Sequence, residues 1–420
     1  MTSAPAESDS LLAPDELARY ADAIVRSCLY LEEGDALFVQ GTLGHRELAV
    51  ALAEAGYRAG ARLVDVHYSD PRLQAARVRQ ARDEFLGPVS AWAERRLRTQ
   101  LQASSAVVTI FGESDPGVLD GLPPERVAED SLRPLGKVRW FVRAVEAGRW
   151  RWAGVAWPTA FWAGQVYPEL GSLEAQRHLA RDLLHFCRLG PGDPPDASGW
   201  REHAAAVARR AETLTGLELE RLELRGDGTS LSFRLSPETL WLGGQGPNAD
   251  GRLVAPNFPT EEVFTSPDAR GTEGTFRCSR PLAFRGRTIE GLGGEFRRGR
   301  LVRLEAASAD DRDFLAAFLD ADRRGRWLGE VALVDSTSRI GRAGRTYLNT
   351  LIDENAVAHI AFGSGFGQTR VPSPGMRGAR GVNQGTMHLD VMIGTEELEA
   401  TGFTADGARV PLIAGGLWQI

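Results

Sequence analysis

Basic charge, cysteine, long apolar runs and nucleotide-binding glycine loops are all scarce in this chain, and each shortage closes off a class of function. Lysine and arginine number 49 against 56 aspartates and glutamates, a net charge of −7. Nucleic acid or an anionic membrane requires a basic face, so neither is expected as a partner. The three cysteines, Cys28, Cys187 and Cys278, are far apart and no CxxC occurs. That excludes a structural zinc or thioredoxin-like motif and fits buried thiols in a reducing compartment. No apolar run approaches the roughly 20 residues that span a bilayer. The start of the chain, Met1 to Ser10, is small and acidic and lacks the features of a signal peptide, so a cytoplasmic protein is expected. Gly41-Thr-Leu-Gly44 follows a strand-like run but completes no GxGxxG or GxxxxGK[ST] pattern, and reads as turn or packing glycine.

What is present is apolar material in two textures. In the first, strand-like runs alternate with helical ones. The expected strands are Ala36–Gln40, Arg62–His67, Ala106–Ile110 and Trp152–Ala156; the expected helices include Asp15–Leu31, His45–Tyr57 and Trp92–Gln102. Alternation of this kind implies crossover connections, hence an α/β domain with a mainly parallel sheet over residues 1–225. After a polar helix, Trp200–Leu214, the pattern changes. Leu217, Leu219, Leu222 and Leu224 alternate into Arg225-Gly-Asp-Gly-Thr229, a hairpin-like turn, and Leu231, Phe233 and Leu235 resume the alternation. Further strands run from Thr275 to Ala306, with one helix at Ala309–Arg323. Residues 226–420 are therefore expected to form an α+β, strand-rich, metal-binding domain. Its loop Gly363–Gly385 is long enough to be read as functional.

The metal expectation rests on four segments. In Met387-His-Leu-Asp-Val-Met-Ile393, His388 and Asp390 stand two apart on a strand and share a face. A buried carboxylate there needs a metal cation or an arginine to offset its cost. In Asp353-Glu-Asn-Ala-Val-Ala-His-Ile-Ala-Phe-Gly363, two acids precede an apolar run containing His359. If that run is a strand from Asn355 onward, Asn355, Val357 and His359 share a face, with Glu354 in the turn before it. Glu261 and Glu262 lie between prolines that stiffen the backbone. Glu330 opens an otherwise apolar strand, Gly329–Val334. Mixed carboxylate and imidazole donors suit Zn²⁺, Co²⁺ or Mn²⁺, with Mg²⁺ a further choice. An excess of carboxylates lets one bridge two ions that activate a water.

These segments resemble a known family. Asn257-Phe-Pro-Thr-Glu-Glu-Val-Phe-Thr-Ser-Pro-Asp268 is similar to the N-x-P-T-E-E-V-F-T-A-P of the thermophilic aminopeptidases, peptidase family M29. Leu328-Gly-Glu-Val-Ala-Leu-Val334, the segment Asp353–Gly363 and His388-Leu-Asp-Val-Met-Ile-Gly394 match that family's L-G-E-V-A-L-V, D-E-N-A-x-x-H-I-A-x-G and H-x-D-x-M-I-G in order and spacing. Trp157–Ala163 and Tyr167–Leu170 also look like family segments. The resemblance implies two divalent metal ions held by Glu262, Glu330, His359, His388 and Asp390, with Glu354 a further ligand and Glu261 catalytic. It also implies a homodimer that removes N-terminal residues from peptide or aminoacyl substrates. Two departures stand out. Where the family carries a tyrosine that stabilises the tetrahedral intermediate, this chain has Phe366, and the family's N-x-S before H-x-D becomes Asn383-Gln-Gly385. They motivate an alternative: a related metalloenzyme with other chemistry, such as a specialised amide hydrolase or the iron-dependent ring-cleaving dihydroxypyridine dioxygenases that resemble this family. Another donor, Tyr347 or an arginine of the Gly363–Gly385 loop, is a candidate replacement for the missing phenol.

Overall fold

A computed structural model describes residues 10–115, 117–371 and 380–420. The first nine residues of the acidic start and residues 372–379 of the Gly363–Gly385 loop lie outside them. Among the described residues, no helix is long and apolar enough to cross a membrane.

The first sheet is wholly parallel. Its strands lie in the order Leu63–Ser69, Ala36–Thr42, Ser105–Phe111, Trp152–Ala156, Asn257–Phe258. Ala36 to Val39 are buried throughout, as expected of a strand covered on both faces. The crossover helix Arg46–Arg58 presses Leu48, Ala49, Leu52 and Ala55 inward. The expected first helix divides: Pro14–Ala23 is α-helical, and Ile24–Cys28 widens by one residue per turn, with Leu29 N donating to Ile24 O at 3.0 Å.

The fifth strand of this sheet comes from far along the chain. Asn257 and Phe258 pair with Gly154 and Val155. The division at 225/226 therefore separates elements that the fold joins. Arg221–Gly226 belongs to the second half's sheet, whereas Asn257–Phe258 returns to the first.

The remainder is an antiparallel sandwich. An eight-stranded sheet runs Arg300–Glu305, Gly293–Arg297, Thr272–Arg277, Thr229–Arg234, Arg221–Gly226, Glu399–Phe403, Arg409–Ala414, Leu417–Trp418. A five-stranded sheet runs His388–Met392, His359–Gly363, Leu328–Leu333, Val263–Thr265, Leu242–Gly243. The two share one core: Phe362 of the smaller sheet lies 5.9 Å from Phe276 and 5.8 Å from Phe296 of the larger. Helix Ala309–Ala321 adds Phe314, Leu315, Phe318 and Leu319 to that core. One expected element differs. The segment from Asn355 is not yet a strand, because Thr350–Asp353 closes a helical turn and the strand begins only at His359.

Candidate metal centre

The five-stranded sheet is apolar on one face only. Val263, Val331, Leu333, Ile360, Phe362, Leu389 and Val391 point into the sandwich core. The alternate residues must then occupy the other face. Register places Phe264, Ala332 and His359 opposite one another there, then Glu330, Ala361 and Asp390, with His388 opposite Gly363. Ala361 carries only a methyl group between two carboxylates, which leaves the space above it open.

Into that space the side chains converge. His359 Nε2 is 3.1 Å from Glu262 Oε2 and 3.9 Å from both Glu330 Oε1 and Asp390 Oδ1. His388 Nε2 is 3.1 Å from Glu330 Oε2 and 3.1 Å from Asp390 Oδ1. Two triads result, Glu262–Glu330–His359 and Glu330–His388–Asp390, each with donor atoms within 4.8 Å of one another. Glu330 belongs to both and turns one oxygen toward each histidine. His388 Nδ1 lies 2.7 Å from the Ser364 carbonyl. A proton on Nδ1 bonds that carbonyl and leaves the Nε2 lone pair facing the carboxylates, the tautomer a metal ligand needs.

The centre is short of positive charge. Among the described residues, Glu262, Glu330 and Asp390 form ion pairs with the two histidines and with no lysine or arginine, while Glu354 receives only amide donors. Burial pushes Glu330 up to about 7 against the pull of His388. Burial likewise drives Glu354 well above the usual carboxylate range, reinforced by Asp390 and Glu262. Burial disfavours a proton on His359, yet the hydrogen bond and charge of Glu262, with Asp390 and Glu330, hold it at about 10. Burial would also raise Asp390, but His388 outweighs it and keeps Asp390 low. Protons are thus standing in for cations. Oxygen and imidazole donors of this kind fit divalent metal ions, which bind such groups by displacing those protons.

Three expected residues sit apart from the triads. Glu354 follows the helical turn Thr350–Asp353 and lies beside the centre, its Oε1 accepting from Asn257 Nδ2 at 3.2 Å and Asn355 Nδ2 at 3.4 Å. Glu261 faces away. Arg188 Nη2 lies 2.9 Å from its Oε1, and His203 Nε2 lies 3.3 Å from its Oε2. Its carboxylate is therefore engaged by Arg188 and His203, and among the described residues it forms no hydrogen bond or ion pair with Glu330, His359, His388 or Asp390. The Phe366 ring packs tilted against His388 at 5.0 Å and edge-on against Phe264 at 5.3 Å, so it borders the centre as a bare phenyl. Of the candidate replacement donors, Tyr347 and Arg370 are held elsewhere. Tyr347 bonds its hydroxyl to Asp182 at 3.0 Å, and Arg370 donates to the Thr369 and Ser266 carbonyls. Arg377 of the same loop lies outside the described residues.

Asn257 is the residue that sequence reasoning passed over. From the edge of the parallel sheet it donates to Glu262 Oε1 at 3.1 Å as well as to Glu354, holding two acids of the centre. It stands inside the matched Asn257–Asp268 segment, and that position was its only signal.

The family profile of thermophilic metalloproteases (M29) matches residues 13–418. Aminopeptidase T of Thermus thermophilus is 34% identical over 406 residues, covering 96% of this chain and 98% of the relative. Aminopeptidase 2 of Geobacillus stearothermophilus is 30% identical over 412 residues, covering 96% and 97%. Among solved structures, wild-type AmpT from Thermus thermophilus superposes with a TM-score of 0.84 at 34% identity, covering 96% of this chain and 99% of that one. The 2,5-dihydroxypyridine dioxygenase of Pseudomonas putida KT2440 reaches 0.53 at 12% identity, a likeness of fold alone.

Proposed function

The chain belongs to the thermophilic metalloprotease family M29, and from that premise we propose that it is a metallo-aminopeptidase that removes N-terminal residues from peptides with two divalent metal ions. The observation that carries the reading is the pair of triads sharing Glu330. Glu262, Glu330 and His359 would hold one ion; Glu330, His388 and Asp390 the other. Zn²⁺, Co²⁺ and Mn²⁺ match these donors, with Mg²⁺ a further choice. Such a pair of ions supplies an activated water and polarises the carbonyl of the scissile amide.

The chain's own groups supply the rest. Amide hydrolysis takes a proton from water and gives one to the leaving amine. Glu354 lies beside both triads, and its Oε1 already accepts from Asn257 and Asn355. Its Oε2 is thus the oxygen we assign to carry that proton, beside the role of further ligand expected of it. Asn257 keeps Glu354 and Glu262 turned in fixed directions by donating to both. Phe366 walls the His388 side and excludes water, but offers no hydrogen bond to a developing oxyanion.

A homodimer is part of the same proposal and rests on the family resemblance. So is a cytoplasmic setting, supported by three cysteines that are all free. The dioxygenase alternative draws on fold likeness alone, and a mononuclear iron site would use only three of the ligands gathered here. Metal analysis joined to an anilide assay tests the reading. Chelator-stripped protein reloaded with Co²⁺ or Zn²⁺ should take up two ions per chain and hydrolyse aminoacyl anilides. One iron per chain with no aminoacyl turnover would overturn it.

A further inference from the structure

We infer that Glu261 is a positioning residue: clamped by Arg188 and His203 of the first domain, it fixes the backbone so that Glu262 faces His359. The inference rests on the proposed role of Glu262 as a metal ligand.

Glu261 and Glu262, just before strand Val263–Thr265, point apart: Glu261 meets Arg188 and His203, whereas Glu262 Oε2 lies 3.1 Å from His359 Nε2, so holding Glu261 outward holds Glu262 inward. The peptide is held at three atoms. The Glu261 carboxylate receives Arg188 Nη2 at 2.9 Å. The Thr260 carbonyl lies 2.8 Å from His203 Nε2. Glu261 N donates to Asn355 Oδ1 at 2.7 Å. Arg188 is itself held, with Nη1 donating to the Phe186 carbonyl at 2.8 Å, and the ion pair is nearly dry at 11% and 8% side-chain exposure.

The origin of these anchors gives the arrangement its meaning. Glu330, His359, His388 and Asp390 are placed by the five-stranded sheet. Glu262 precedes that sheet's strand Val263–Thr265, and the two residues before it are tied to Arg188, just past helix Ser172–Phe186, and to His203 of helix Ser198–Gly216. Groups of the first domain, with Asn355 of the second, thus set one ligand of a centre that the second domain otherwise builds. Partners that orient metal ligands from outside typically change metal affinity by about 10–100-fold when removed.

The test is the double variant Arg188→Met/Glu261→Met, because exchanging both members of a buried ion pair for apolar residues of similar volume generally preserves folding. Metal-depleted protein is titrated with Co²⁺, with affinity read by chelator competition and ligand geometry by visible absorption. The expected result is a cooperative fold with affinity about 10–100-fold weaker and an altered Co²⁺ spectrum. Wild-type affinity and spectrum in the folded double variant would overturn the inference. Should that variant not fold, Glu261→Gln, which keeps the size and removes the charge, reads the same two quantities against the same outcomes. Glu262→Ala runs alongside. If it keeps wild-type Co²⁺ affinity, the ligand reading fails and the positioning role fails with it. If it loses the metal while the double variant does not, only the positioning role fails.

Discussion

His45 and His359 are equally buried, each 1% exposed, yet their surroundings drive their protons in opposite directions. His45 sits at the carboxyl end of the parallel sheet. Its Nδ1 accepts from Thr42 N at 3.1 Å and its Nε2 lies 3.2 Å from the Gly112 carbonyl. Both ring atoms are satisfied by backbone, and Gly41 and Gly112 make room for it, since a Cβ at either would come within 2.9 Å of the ring. Burial pushes its pKa down to about 4, with Gly112 pulling weakly the other way. His359 faces carboxylates from two triads, holds its proton to about 10, and leaves Nδ1 buried without a partner among the described residues. Burial alone makes a neutral, structural histidine. Burial among uncompensated acids makes a place for a cation.

The comparison can be broken by substitution. The largest effect is expected from His359→Ala. Metal-dependent turnover should vanish and metal content fall, while the metal-free protein stays folded; wild-type turnover with full metal content would remove His359 from the centre. His45 should respond to pH instead. Its folded pKa lies below the ordinary 6.5. The unfolded chain therefore binds the extra proton, and stability is lost as pH falls from about 6.5 toward 4, by up to about 3 kcal/mol. Urea midpoints from pH 7 to 4 should show a shallower decline in His45→Gln than in the wild type. Parallel curves would show that His45 already carries its proton in the fold.

At neutral pH, His45→Ala leaves the Thr42 amide and Gly112 carbonyl unpaired and should cost about 2 kcal/mol. It should leave metal stoichiometry untouched. Lost metal would mean that the two sheets are coupled more tightly than this contrast allows. The smallest effect concerns the wall of the centre. Phe366→Tyr adds a donor beside His388. A single oxyanion donor typically changes kcat by about 10²–10³ where geometry is right, so a gain of about tenfold or more with KM nearly constant is expected here. A flat kcat at unchanged metal content would place the oxyanion elsewhere.

Much of this was legible from pattern. The alternation of strands and helices gave four of the five parallel strands, because each is a run long enough to show its period. His388 and Asp390 sharing a strand face is a two-residue rule, and the structure brings them within 3.1 Å. Hidden features depend on distant partners. Asn257–Phe258 is too short to carry a period, and its neighbour lies about a hundred residues back in the chain. The strand could be expected to start at Asn355 because Ala356 to Ala358 are apolar, yet Asn355 turns inward to bond Glu261 N and the Leu351 carbonyl. Nor does a pair of adjacent glutamates reveal which one looks inward. Arg188 and His203 decide that, and neither is near in sequence.

The return of residues 257–258 to the parallel sheet also bears on how the protein is made. A ribosome delivers Trp152–Ala156 long before its outer neighbour, so that strand waits with an unpaired edge while the next hundred residues emerge. The parallel sheet lacks its fifth strand until then, and that strand arrives on the same short stretch of chain as Glu262, the first acid of the centre.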